Sequence, residues 1–173
     1  MDRKQKISEV ALNLFAHKGY RSTTTQLIAQ EAGVSEALIF KHFGNKEQLL
    51  TFIIKSGYKR VIEQNRGMMK ESDPRKFIFN IIELPYKLVT EEPDFWELQS
   101  RLMFMDISGK QHAAFIKPVY ALLVKAFSEL DYKKPEKETE LLLLLVDALW
   151  KLKITQPAEI KKMQAFIKEK YSL

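Results

Sequence analysis

Apolar residues recur along this chain at three- and four-residue intervals, and strand-like alternation is nearly absent, so the pattern predicts an all-α fold. Ile7, Val10, Ala11, Leu14 and Phe15 form one stripe on a first helix, which Gly19 ends. Thr23 followed by Gln26 fits a capping box, in which a hydroxyl and an amide each satisfy a free backbone donor, and a second helix is expected over about 24–32. Gly33 supplies a sharp turn. Ser35 then suits the N-cap of a two-turn third helix ending near His42 or Phe43. Gly44 and Asn45 break that helix, Asn45 caps again, and Lys46 opens a long fourth helix with Leu49, Leu50, Ile53, Ile54 and Val61 facing inward.

Further helices follow. Asp73-Pro74 starts one that Pro85 is expected to kink, and Glu92-Pro93-Asp94 starts the next. Ser108-Gly109-Lys110 reads as a loop, with Pro118 bending or opening a helix that runs to about Leu130. Lys134-Pro135-Glu136 leads into the apolar run through Ile154. A last helix begins near Pro157 and carries Ile160, Met163, Phe166, Ile167 and Tyr171. No internal repeat is found.

Composition narrows the function. The 173 residues contain no Cys, which removes disulfides, thiolate metal sites and thiol nucleophiles and favours a reducing, cytoplasmic home. The charged start offers no signal-peptide core, and no run approaches a membrane span, so no membrane partner is expected. Phosphate-loop, dinucleotide and zinc-protease motifs are absent, and the three His are far apart, so neither an enzyme nor a cofactor or metal is expected. The net charge of +6 is uneven. Residues 1–60 carry ten Lys and Arg against five Asp and Glu, while the remainder is almost neutral, which suits a polyanion-binding head on a separate body.

The stretch from Ile28 to Phe43 shows what that head is. Two helices crossing steeply after a short turn need small residues where the backbones approach, a glycine in the turn, and apolar inner faces. Ala29 and Ala32 meet the first need, Gly33 the second, and Ile28, Val34, Ile39 and Phe43 the third. The third helix is too short to stand alone, so its inner side must be held and its outer side, with Glu36, Ala37, Leu38, Lys41 and His42, is left for the major groove.

Several spaced elements in this region occur in order: Ala11, Leu14-Phe15, Gly19-Tyr20 and Thr23-Thr24; then Ile28-Ala29, Ala32-Gly33-Val34-Ser35; then His42-Phe43, Lys46-Glu47 and Leu49-Leu50. Over residues 7–54 the chain closely resembles the TetR family of bacterial transcriptional regulators. The resemblance implies an N-terminal three-helix helix-turn-helix DNA-binding domain, assigned here to 1–46, and a C-terminal helical bundle for ligand and dimer contacts, assigned to 47–173. It implies phosphate contacts from Thr24, Thr25, His42 and Lys46, and base contacts from the exposed side of Ser35, Glu36, Ala37, Leu38 and Lys41. Three positions depart from the family's usual residues: Phe40 stands for Tyr, Ala37 for Gly, and Leu38 for a residue that is often polar. The last suggests apolar contact with thymine methyl groups.

In the body, Trp96, Met103, Tyr120 and Trp150 are the candidate lining of a pocket for a small apolar or amphipathic effector, because they are adaptable or amphipathic. Large apolar side chains at helical spacing also build ordinary cores. The run from Leu141 to Trp150 is apolar nearly all round and needs cover on two sides. Leu142, Leu145 and Leu149 with Met163, Phe166 and Ile167 are the candidate homodimer interface, a fully internal helix being the alternative. The expected function is that of a cytoplasmic homodimeric repressor on double-stranded operator DNA, released by an effector. A regulator answering to a protein partner, or a binding protein without specific DNA contact, are the other readings.

Overall fold

A computed structural model of the protein describes residues 2–102 and 106–173, with backbone alone at 106–108. Among these residues all regular structure is helical: α1 Arg3–Lys18, α2 Thr25–Ala32, α3 Glu36–Phe43, α4 Lys46–Gln64, a 3-10 turn at Met68–Lys70, α5 Pro74–Glu91, α6 Pro93–Leu102, α7 Asp106–Glu129, α8 Pro135–Thr155 and α9 Ile160–Lys170. No helix among the described residues is long and apolar enough to cross a membrane. Two compact units result. One comprises Met1–Arg60 and Asp94–Gln111; the other comprises Val61–Pro93 and His112–Leu173. The division expected at 46/47 coincides with the start of α4, whose residues up to Arg60 belong to the first unit.

The first unit is built around the inner faces of its short helices. Ile7, Ala11, Leu14 and Phe15 of α1, Ile28, Ala29 and Ala32 of α2, and Ile39 and Phe43 of α3 are buried. Leu49, Leu50, Ile53 and Ile54 of α4 are buried in the same unit. Gly33 sits in the left-handed region at φ 65°, where a side chain would be strained, and its N–H closes on the end of α2. The start of α2 differs from expectation. Thr24, not Thr23, is the N-cap, its hydroxyl accepting from Leu27 N at 3.1 Å. Thr23 is wholly buried and donates to the Gly19 carbonyl at 2.8 Å, so its hydroxyl ties down the end of α1 instead of opening α2. Asn45 caps α4 as expected, with Oδ1 accepting from Gln48 N at 2.8 Å. Phe95 of α6 packs on α4 at Gly57, where any Cβ would lie 2.1 Å from the ring. Asp94 at the head of α6 meets His17 at 2.9 Å and Asn13 at 3.0 Å, both on α1.

In the second unit Ile78 and Ile82 of α5, Leu123 and Phe127 of α7, Leu142 and Leu149 of α8, and Ile160 and Ile167 of α9 share one core. Pro85 lies inside α5 and cannot donate to the preceding turn. One residue past Ile81, whose carbonyl Pro85 cannot pair, the Ile82 carbonyl accepts from the buried Gln164 Nε2 at 2.8 Å, a bond that ties α9 to α5. The loop expected at Ser108-Gly109-Lys110 is helical, and Pro118 lies within α7 instead of opening it. A single glycine costs a helix only about 1 kcal/mol, and here helical continuation outweighs the local turn signal.

Candidate nucleic-acid interface

The site grows from α3, whose eight residues are held from one side only. Ile39 is wholly buried and Phe43 nearly so, with the Phe43 ring edge-on to Phe52 of α4 at 5.3 Å. Opposite them, Ser35, Ala37, Phe40 and Lys41 are exposed, while Leu38 and His42 are half-buried. Ser35 occupies the N-cap position, but its hydroxyl makes no capping bond. The outer side predicted for DNA contact is therefore open to solvent. Phe40, left out of the contact set, is also open at 45% exposure. The signal for it lay in the register: Phe40 is turned about 100° from the buried Ile39 and 60° from Phe43, which puts it at the edge of the packed stripe.

Thr25 and Glu36, two of the expected contact residues, are joined to each other. The Thr25 hydroxyl donates to Glu36 Oε1, across the turn between α2 and α3. Glu36 is the one acid on α3, and this bond holds one of its carboxylate oxygens at the head of α2. Thr24 is exposed with its hydroxyl engaged in the cap of α2.

Lys46 is placed differently from a free phosphate ligand. Its ammonium donates to the carbonyl oxygens of Tyr20 at 3.0 Å and Thr23 at 2.9 Å, and stands 4.5 Å from the centre of the Tyr20 ring. These bonds satisfy two carbonyls in the link between α1 and α2, which no helix can pair. Burial, and secondarily the charge of Glu47, raise the Tyr20 hydroxyl above its ordinary pKa, so the ring remains neutral beneath the ammonium. At most one donor of Lys46 is left for another partner.

The residues expected to line an effector pocket are divided between the two units. Trp96 is buried in the first, edge-on to Phe95 at 5.4 Å and to Tyr58 at 6.4 Å. Met103 lies outside the described residues. Tyr120 is half-buried on α7 and Trp150 is buried on α8, both in the second unit. Trp150 Nε1 donates to Asp147 Oδ1 at 3.3 Å, and His112 approaches the same oxygen at 3.3 Å. A groove of about 340 Å³ in that unit is lined by other residues, among them Asn65, Asn80, Glu83 and Lys87.

Of the residues expected to meet a second copy, Leu142, Leu149 and Ile167 are buried in the core of their own unit and Leu145 is packed against it. Met163 and Phe166 are exposed, Phe166 at 65%. The outward apolar side of α8 is instead Leu141 and Leu144, the latter at 68% exposure. A continuous leucine run has no polar phase marker, so its sequence shows two apolar sides without saying which is outside.

Residues 7–51 match the family described as bacterial regulatory proteins, tetR family. The chain is 34% identical over 101 residues to the uncharacterized HTH-type transcriptional regulator YuxN of Bacillus subtilis, which takes in 57% of this chain and 35% of that protein's own length. The chain thus spans about a third of the length of this relative. By fold it is similar to a TetR transcription regulator from Haloarcula marismortui, with a TM-score of 0.79, 18% identity, and 97% and 95% of the two chains covered. It is similar in the same way to the transcriptional regulator FadR of Bacillus subtilis, solved in complex with stearoyl-CoA, with a TM-score of 0.78, 16% identity, and 95% of each chain covered. The amino-terminal helices of this chain are thus similar to those of the tetR family of bacterial regulatory proteins, and its helical fold is similar to that of solved transcriptional regulators.

Proposed function

We propose that the protein is a homodimeric transcriptional repressor that lays α3 in the major groove of operator DNA and leaves it when a small apolar or amphipathic effector binds the body. The observation that carries the DNA contact is the open outer side of α3, with Ser35, Ala37 and Lys41 exposed above a buried Ile39 and Phe43. A helix this short offers such a surface only if the rest of its unit holds it. The basic balance of residues 1–60 supplies the sequence-independent attraction to phosphate.

Dimerisation rests on Leu141 and Leu144 of α8 with Met163 and Phe166 of α9, large apolar side chains left in water on the protomer. The effector rests on fold likeness to FadR of Bacillus subtilis with its stearoyl-CoA, and Tyr120 and Trp150 are the body residues offered to it.

Selection from a random duplex pool, followed by titration of the enriched duplex, tests the reading. Binding should fall at least tenfold for Lys41→Ala and for Ala37→Glu, which sets a carboxylate against the groove, with helicity and melting unchanged. Failure to enrich any duplex would remove the reading. Stearoyl-CoA as a probe should raise the melting temperature saturably and release the duplex; a protein insensitive to it and to other acyl compounds would leave DNA binding standing and discard this class of effector.

A further inference from the structure

The outer side of α3 is chemically unusual for a surface that must tell base pairs apart. Residues 35–43 contain no Arg, Asn or Gln, so the side chains that make paired hydrogen bonds to guanine or adenine edges are lacking, apart from the single cation Lys41. Glu36, which could accept from cytosine, has one carboxylate oxygen bonded to Thr25 at the head of α2. Beside the Ser35 hydroxyl, Lys41 and the half-buried His42, the surface toward solvent is apolar: the Ala37 methyl, the half-buried Leu38 and the Phe40 ring, at 45% exposure. The Phe40 ring and part of Leu38 thus leave apolar surface open to a partner on this small helix. In the major groove the apolar feature that distinguishes one base from the others is the C5-methyl group of thymine.

We infer that this protein chooses its half-site by thymine methyl groups packed against Ala37, Leu38 and Phe40, with Lys41 meeting a phosphate or a single guanine. The inference rests on the DNA-binding reading above. Charge complementarity fits this occupant: the patch is bordered by Lys41 and belongs to a unit whose first 60 residues have twice as many basic as acidic side chains.

The enriched duplex is compared with versions in which thymines of the half-site are replaced one at a time by deoxyuridine, which keeps the pairing and the O4 acceptor and lacks only the methyl group. Each methyl in contact should be worth about fourfold in affinity, the value of one apolar carbon removed from water. Repeating the series with Leu38→Ala and Phe40→Ala should abolish the uracil penalty at the thymine each side chain covers while leaving the others. Equal affinity for thymine and uracil duplexes throughout would overturn the inference, as would an enriched half-site without thymine, although the protein would still bind DNA. A protein that retains no duplex at all fails at the earlier reading and takes this one with it.

Discussion

Replacing Lys46 by Met separates a structural ammonium from a phosphate-binding one. The methionine stem keeps the apolar contact over Tyr20 but deletes the donors to the Tyr20 and Thr23 carbonyls at 3.0 and 2.9 Å. A hydrogen bond to a charged group contributes about 1.5–3 kcal/mol, and the cation over the ring about 0.5–1. The site is half-buried, so water takes over part of what is lost. The expected net loss is about 2–3 kcal/mol, or roughly 5–10 °C in melting for a chain of this length. Urea titration followed by circular dichroism measures it. The salt dependence of DNA binding measures the alternative, because deleting a phosphate contact lowers the slope of log affinity against log salt by about 0.9. We expect lowered stability with an unchanged slope for Lys46→Met, and the reverse for Lys41→Ala. A Lys46→Met protein as stable as the parent but with a reduced salt slope would refute the placement of this ammonium in the α1–α2 link.

Gly57→Ala should cost about 1–3 kcal/mol in urea titration, because the new Cβ falls 2.1 Å from the buried Phe95 ring; adding Phe95→Leu should recover part of the loss. Leu144→Asp combined with Phe166→Asp should sediment as a 20.2 kDa protomer where the parent sediments as a dimer, with helicity retained. Burial, the largest influence on Asp147, pushes its carboxyl up, but the His112 hydrogen bond and charge, the Trp150 hydrogen bond and the Lys151 charge together hold it below the ordinary carboxylate value. A depressed folded-state pKa stabilises the protein above the unfolded value and is lost as pH falls through the folded one. Stability measured by denaturation from pH 7 downward should therefore decline less steeply in acid for Asp147→Asn than for the parent.

The amino-terminal unit was legible because its cues are local and agree with one another. Ile7 to Phe15 fixed the buried stripe of α1, Gly33 the left-handed turn, and Asn45 the cap of α4, and each interaction spans a few residues. What escaped there depended on partners distant in sequence. Lys46 reaches back 26 residues to Tyr20, and nothing in a one-dimensional pattern distinguishes a lysine bonded to carbonyls from one waiting for phosphate. Thr23 and Thr24 are chemically interchangeable as caps, and only the need of the α1 end for a buried hydroxyl decides between them. In the body, Ser108-Gly109-Lys110 carried a turn signal that helical continuation overrode, and the leucine run of α8 carried no phase.

Reading a half-site through methyl groups has a consequence for assembly. Two such contacts at about fourfold each give one head only about 16-fold preference over a duplex lacking them. Specific regulators typically exceed their own non-specific binding by about 10³–10⁷. A lone head built as α3 is built would fall far short, since it has one cation and no paired hydrogen-bonding side chain with which to raise the ratio. Two heads fixed at one spacing multiply their preferences to about 250-fold, while phosphate contacts hold both in register on the duplex. On the proposed reading of thymine methyl groups, the apolar chemistry of α3 makes joining two copies a requirement of selectivity. The exposed leucines of α8 and Phe166 of α9 are the side chains on this protomer suited to join them.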